Sequence, residues 1–340
     1  MYKLLIVGGV AAGATAAARA RRLRSDIEIT ILEAGPDISF ANCGLPYYIA
    51  GDIKNRSKLI LQSPESFHDQ YQVAVHINTE AKEIDRERKV VKTIGADGRE
   101  QEFAYDGLIL AQGGKPLVPP IPGVEHDHVF SLWTRLYTDA IDAWLENQMP
   151  RHAVVVGGGF IGIEMVEALA KRGLQVSVVE MADHVMPNME SEIAGFLQEE
   201  MQAYGVNVVT GTALSRIGSR SVELSDGNTL DADMVIMSVG VKPTLALARE
   251  AGLEIGEAGG LVTDAYLQTS DPSIYAAGDM VELTHRVADR SVRIPLAGPA
   301  NRQGRIAASN LLAGDGAARM QYSGSQGTSI VRVFEAVVAS

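Results

Sequence analysis

The stretch Lys3-Leu4-Leu5-Ile6-Val7-Gly8-Gly9-Val10-Ala11-Ala12-Gly13, continued by the Ala-rich segment to Leu23 and by Glu28-Ile29-Thr30-Ile31-Leu32-Glu33, decides the fold. Its apolar residues 3–7 read as a buried strand, the glycines as a tight turn, residues 12–23 as a helix and 28–32 as a second strand. That order is a βαβ unit of a parallel sheet. A second copy begins at His152: strand 153–156, then Gly157-Gly158-Gly159-Phe160-Ile161-Gly162, helix 163–172, strand 175–179 and Glu180. Gly8 to Glu33 is 33 − 8 = 25 positions and Gly157 to Glu180 is 180 − 157 = 23. Two such units with matching internal spacing indicate two dinucleotide sites.

The chemistry follows from the turn. Glycines let backbone come close to a pyrophosphate, the helix start supplies N–H donors and a positive dipole end, and the terminal acid accepts from a ribose hydroxyl. In the first copy Val10 stands where the middle glycine is expected, with Gly9 beside it. In the second, Glu180 repels a 2′-phosphate and Met181-Ala182-Asp183 offers no cation, so NADH is expected over NADPH.

Working outward, 340 residues allow two or three domains, and 34 glycines among Val/Ile-rich runs suit an α/β chain. A net charge of −12 without a basic stripe argues against nucleic acid. The single cysteine, Cys43, rules out an intramolecular disulfide and fits a reduced, cytoplasmic setting. Residues 4–18 superficially resemble an export signal, but glycines interrupt their centre and they run into Arg19–Arg24. No other apolar stretch is long enough to span a membrane.

Between the two units, residues 89–94 and 102–105 read as a hairpin around Asp97-Gly98, followed by a strand over 107–111. Pro116 to Pro122 reads as a crossover between domains, and 239–243 echoes 111–116 as a second linker. The expected boundaries are therefore 1–117 with 242–324, then 118–241. Residues 329–338 alternate like one strand, before the chain stops at Ser340. A last segment, Ser273-Ile274-Tyr275-Ala276-Ala277-Gly278-Asp279, reads as a short strand into Gly-Asp. Asp279 could bind a polyol such as the ribitol of FAD, or cap a following helix.

Together these pieces resemble the pyridine nucleotide–disulfide oxidoreductases over essentially the whole chain. The resemblance implies an α/β chain with two Rossmann-like domains of the glutathione reductase type, the first for FAD and the inserted second for NAD(P)H. It assigns Gly8, Gly13, Glu33, Ala81, Gly113, Asp279 and Ala297 to FAD. It assigns Gly157, Gly159, Gly162, Glu180 and Gly240 to NADH, with Phe160 as a movable gate. The helix opened by Leu296-Ala297-Gly298-Pro299 would face the flavin pyrimidine with its positive end. Trp133 departs from the pattern, since relatives often place an Arg there. Residues 325–340 would be only the start of a C-terminal interface domain, through which full-length relatives form homodimers.

The segment Ser39-Phe40-Ala41-Asn42-Cys43-Gly44-Leu45-Pro46-Tyr47-Tyr48 narrows the branch. It is similar to the signature of coenzyme A disulfide reductases and NADH-dependent persulfide reductases. With one cysteine, the oxidised form must be a mixed disulfide, a persulfide or a sulfenic acid. Near a helix N-terminus and a flavin, the Cys43 thiol is expected to have a lowered pKa. The rivals are a NADH oxidase or peroxidase, which carries a His where this chain has Ala11, and a flavin reductase feeding a separate protein. For CoA, Arg19, Arg21, Arg22 and Arg24 supply a basic patch, although basic residues at a helix C-terminus also offset its dipole without any ligand. The resemblance assigns Thr15, Arg19, Arg22, Ser39, Asn42 and Asn301 to CoA as substrate or bound ligand.

Overall fold

The computed structural model describes residues 1–314 and 318–339. The chain divides into two compact units, one of Met1–Phe40, Ile60–Lys115 and Pro243–Gly327, the other of Ala41–Leu59, Pro116–Lys242 and the chain from Thr328. Residues 41–59, expected within the first domain, thus group with the second unit. Residues 315–317 of the expected 242–324 segment, and Ser340, lie outside the described residues.

In the first unit, five parallel strands run in the spatial order Ile274–Ala276, Gly107–Leu110, Lys3–Val7, Glu28–Leu32, Ala74–His76. Successive side chains point to opposite faces, and both faces are covered. Leu4, Ile6, Ile29 and Ile31 pack with Ala16, Ala17, Ala20 and Ala307 beneath the helices Ala11–Leu23 and Ala297–Leu311. Leu5, Val7, Leu108 and Leu110 join Val91 and Leu261 on the other face. The two helices touch closely because Gly304 has no side chain: a β-carbon there would lie 2.2 Å from Ala12 O. The hairpin read around Asp97-Gly98 gains a third strand, giving antiparallel Thr79–Asp85, Val90–Gly95 and Glu100–Ala104.

The second unit repeats the plan. Its parallel order is Asn207–Val209, Gln175–Val179, His152–Val156, Met234–Met237, Val129–Phe130. The helix after the second glycine turn is Phe160–Lys171, starting three residues earlier than the sequence indicated. The alternating run 329–338 is not one strand but two, Ile330–Val333 and Ala336–Ala339, paired antiparallel. The reversal at Phe334-Glu335 is held within the unit. Phe334 N donates to Glu167 Oε2 at 3.0 Å, and its ring stacks on Tyr204 with centroids 4.2 Å apart.

The turn glycines differ in what they tolerate. A β-carbon on Gly162 would sit 1.9 Å from Gly157 O, whereas Gly195, in the Ser191–Ala203 helix, has nothing within 4 Å. Gly162→Ala is expected to cost at least about 2 kcal/mol through forced backbone displacement. Gly195→Ala is expected to gain about 0.5–1 kcal/mol from helix propensity. Urea unfolding of both variants checks the contrast.

Candidate dinucleotide and thiol sites

In the first unit the glycine turn is dictated by close approach. Gly8 has φ +103°, its N–H donates to Leu32 O at 2.8 Å, and a β-carbon there would lie 2.2 Å from Ala111 O. A β-carbon on Gly13 would meet Gly8 O at 1.8 Å. Val10 has φ −95°, outside the left-handed region that would call for a glycine. The Ala11–Leu23 helix starts with neither a side-chain cap nor an acid in its first turn. Its terminal N–H groups therefore keep their affinity for an anion. Glu33 accepts from Gly9 N at 2.7 Å and Gly35 N at 2.8 Å. Burial pushes its pKa up, and those backbone donors partly offset the rise.

Gly278-Asp279 comes to the same place. With φ +88°, Gly278 would bring a β-carbon within 3.2 Å of Ala12 and 3.8 Å of Ala300, at the starts of both helices. Asp279 has no hydrogen bond or ion pair among the described residues, and burial pushes its pKa up to about 6. Gln112 Oε1, next to Gly113 (φ +62°), is buried without a partner. Ala81 is buried on the Thr79–Asp85 strand, and Ala297 is exposed as the first residue of its helix. A cradle without room for β-carbons, an uncapped helix and two unmatched polar groups fit a dinucleotide carrying a polyol.

The second unit builds a matching cradle. Gly157 has φ +99°, and a β-carbon there would lie 2.6 Å from Ser238 O. Glu180 accepts from Gly158 N at 2.7 Å and Ala182 N at 2.9 Å, the same capture seen for Glu33. Gly159 and Gly240 have open space around them, and Phe160 is half-buried as the first helical residue. These features fit a nicotinamide dinucleotide whose ribose faces the carboxylate.

Cys43 lies on a 3₁₀ turn, Asn42–Gly44, directly before the short Leu45–Ile49 helix. Ala41 N donates to Leu59 O at 2.8 Å and Gly44 N to Ala41 O at 2.9 Å, while Leu45, Pro46 and Ile49 are buried as anchors. The protein's own groups shift the thiol pKa in the direction opposite to the lowering expected beside a helix N-terminus and a flavin. Cys43 presents surface to solvent, yet burial of its surroundings raises its pKa, and the Glu164 carboxylate raises it further. A helix of 5 residues supplies too little dipole to reverse this.

Glu164 was not singled out from the sequence. It lines one cleft with Tyr47, Glu167, Lys171 and Arg332. Burial, and then Glu167, push its pKa up to about 7. The available signal was a pair of glutamates three positions apart within Ile163-Glu164-Met165-Val166-Glu167, an otherwise apolar helical run.

Of the six residues assigned to CoA, five lie in the first unit, and two of them bond to each other. Thr15 Oγ1 donates to Asn301 Oδ1 at 2.6 Å, and Arg19 Nε to Ser309 Oγ at 3.0 Å. Arg22 is exposed, its guanidinium 5.7 Å from the Tyr71 ring centroid. Ser39 has φ +45° and donates its N–H to Gly9 O at 3.0 Å. Asn42 is exposed in the other unit. Two arginines of the basic patch are already engaged. Arg21 donates to the carbonyls of Tyr71, Gln72, Ser25 and Ile27, and Arg24 pairs with Asp26. Among the described residues no cluster could hold a metal ion, and no helix is long and apolar enough to cross a membrane.

Residues 2–304 match the family described as pyridine nucleotide-disulphide oxidoreductase. The crystal structure of reduced Bacillus anthracis CoADR-RHD superimposes with a TM-score of 0.96 at 42% identity, covering 99% of this chain and 61% of that one. A Methanocaldococcus jannaschii protein named NADH oxidase is 36% identical over 91% of this chain and 70% of its own. A Pyrococcus horikoshii NAD(P)H coenzyme A polysulfide/persulfide reductase is 33% identical over 98% of this chain and 74% of its own.

Asp279 gives a pH-dependent prediction. Its folded-state pKa, about 6, lies above the ordinary carboxylate value, so folding favours its protonated form. Stability of the flavin-free chain is then lost as pH rises through that value. Asp279→Asn is expected to be more stable than wild type in urea at pH 7.5, with the difference vanishing near pH 4.

Proposed function

The chain belongs to the pyridine nucleotide-disulphide oxidoreductase family, and within it we propose a FAD-dependent NAD(P)H oxidoreductase that reduces CoA disulfide or CoA-type persulfides and polysulfides through Cys43. The observation that carries the reading is the single thiol, exposed on an anchored turn with no second cysteine to pair with. The chain spans 61% of the Bacillus anthracis structure it matches, so the activity of the whole protein is part of the proposal. The reading includes a small thiol, disulfide or persulfide substrate, a homodimeric full-length form and a cytoplasmic setting.

Gly8, Gly13 and Glu33, with Asp279, Gly113, Ala81 and Ala297, are assigned to hold FAD. Gly157, Gly159, Gly162, Glu180 and Gly240 are assigned to NADH, with Phe160 on the nicotinamide side. When bound, FAD supplies the two-electron relay between NADH and the cysteine. Cys43 Sγ attacks one sulfur of the acceptor, forming a mixed disulfide as the acceptor S–S bond breaks, and the leaving thiolate takes a proton. Two electrons from NADH then restore the Cys43 thiolate and release the second thiol. Thr15, Arg19, Arg22, Ser39, Asn42 and Asn301 are assigned to CoA. Arg19 and Arg22, at i and i+3 on one helix, are placed for its phosphates.

A second reading, a NADH oxidase working through a Cys43 sulfenic acid, draws on the name of the Methanocaldococcus relative. Ala11 supplies no imidazole to steady such an acid.

Intact mass of the denatured, non-reduced protein separates the two. A dithiothreitol-sensitive adduct of one CoA, absent from Cys43→Ser, is expected; added oxygen atoms on Cys43 would favour the oxidase, and a bare thiol would remove the support for CoA. In turnover of the full-length protein, Cys43→Ser is expected to lower NADH-driven CoA disulfide reduction by roughly three orders of magnitude or more. Flavin reduction by NADH should persist. NADH should exceed NADPH in kcat/KM by at least about tenfold, from like-charge repulsion at Glu180.

A further inference from the structure

In the second unit, the thiol sits at one end of a short, continuous right-handed rod. The 3₁₀ turn Asn42–Gly44 passes into the Leu45–Ile49 helix without a break: Leu45 N donates to Asn42 O, and Gly44, Leu45 and Ala50 all keep helical dihedrals. A rod this short does not stand by its own hydrogen bonds. At its far end the last carbonyls need donors from outside the helix ladder. Pro46 O accepts from Ala50 N at 2.8 Å, Tyr47 O from Ile53 N at 3.1 Å and Tyr48 O from Gly51 N at 3.0 Å. Ile49 O is met by a side chain instead: Arg172 Nη1 donates to it at 3.1 Å. Arg172 caps the Phe160–Lys171 helix at its C-terminus, and two carboxylates of the Arg135–Gln148 helix hold its guanidinium in turn. Nη1 donates to Asp142 Oδ1 at 3.2 Å and Nη2 to Glu146 Oε1. The Arg172 and Asp142 side chains keep 23% and 28% exposure, so salt screens this pair less than a surface pair. Lys171 Nζ to Asp52 at 3.0 Å, and Arg56 to Asp139, tie down the chain that follows the rod.

We propose that Arg172 is a positioning residue for Cys43: it fixes the far end of the rod, and with it the placement of the thiol at the near end. The inference rests on Cys43 as the exchanging thiol. Exchange needs the attacking sulfur aligned with the S–S bond that breaks, and a misplacement of about 1 Å can slow a reaction about hundredfold. Leu45, Pro46 and Ile49 hold the inner face of the rod by apolar burial, which has no direction and leaves the rod free to roll or slide. The guanidinium supplies the direction. Its planar fork ties Ile49 O to two acids of another helix at once, a geometry that the point charge of a lysine does not reproduce. Without a cation, Asp142 and Glu146 stand four positions apart on one helix and repel. The carbonyl of the fully buried Ile49 also loses its donor. Arg172 acts through the rod, not on a reacting atom.

The test joins hydrogen–deuterium exchange, read by mass spectrometry on the full chain, to kinetics of the FAD-loaded full-length protein. In Arg172→Met the amides of residues 43–51 should exchange at least about tenfold faster, while the His152–Val156 and Gln175–Val179 strands keep wild-type protection. With NADH and CoA disulfide, kcat should fall about ten- to hundredfold, and stopped-flow reduction of the flavin by NADH should keep its wild-type rate. Arg172→Lys keeps a cation between the two acids, and so the fold. It should show a smaller change in the same direction, and wild-type values in both readouts would overturn the proposal. Faster exchange in Arg172→Met with an unchanged kcat would reduce the contact to a structural one and refute the positioning role. Equal slowing of flavin reduction and disulfide reduction would refute it too, since placement of the thiol bears only on the second. The exchange measurement consumes no disulfide. A wild-type protein inactive toward CoA disulfide, with residues 43–51 still loosened in Arg172→Met, would sink the substrate reading and leave the hold on the thiol standing.

Discussion

At two points in this chain a β-carbon would have to share space with a backbone carbonyl oxygen: on Gly13 against Gly8 O, and on Gly162 against Gly157 O. Because neither residue carries one, each helix can begin directly against the strand that precedes it. The close start has a second effect. It leaves the N–H of the next glycine, Gly9 or Gly158, pointing at the carboxylate that ends the neighbouring strand, Glu33 or Glu180. Strand, turn, helix and acid are thus fixed by one steric condition, met twice. The two five-stranded sheets follow, since the first and second strands of each unit pair in parallel register around that turn.

The same condition explains how much could be read in advance. Strands Lys3–Val7, Glu28–Leu32 and Gln175–Val179 were legible with their boundaries because apolar runs ended at glycine or at an acid. The Ile330–Ala339 hairpin was not. Its reversal at Phe334-Glu335 contains no Gly, Pro or Asn, and the alternation of apolar residues passes through it unbroken. Phe334 takes a positive φ of 50° that a bulky residue rarely adopts. Stacking on Tyr204 and the bond to Glu167 offset the strain, and both partners are remote in sequence. The Thr79–Asp85 strand escaped for another reason. Thr-Glu-Ala-Lys-Glu-Ile-Asp carries too few apolar residues to display a period.

At the site, the glycines and glutamates were legible because spacing carries their chemistry. The electrostatics of Cys43 were not. Burial raises its pKa, and the carboxylate that adds to the rise, Glu164, lies on a helix far along the chain that packs against Leu45–Ile49. The arginines of the first helix teach a related lesson. Four basic residues look alike in sequence, but backbone carbonyls engage Arg21, Asp26 engages Arg24, Ser309 accepts from Arg19 Nε and Arg22 lies over the Tyr71 ring.

Unmatched polar groups discriminate better than charged ones here. A buried polar group without a partner costs about 1–3 kcal/mol, a sizeable fraction of the stability of a domain. Tyr105, His128 and Trp144 each carry one such atom away from both cradles, and as neutral groups they sit at the low end of that cost. Asp279 and Glu164 are different, since each must either hold a proton or carry an unpaired charge near neutral pH. Among the described residues neither contributes a bond that holds the fold together, unlike Glu167, which Arg332 and Phe334 N bind to close the hairpin onto its helix. A carboxyl that weakens the empty protein and supports none of its packing gains a physical rationale only from a partner or a reaction. For Asp279 the proposed partner is the polyol of a dinucleotide held against the first glycine turn.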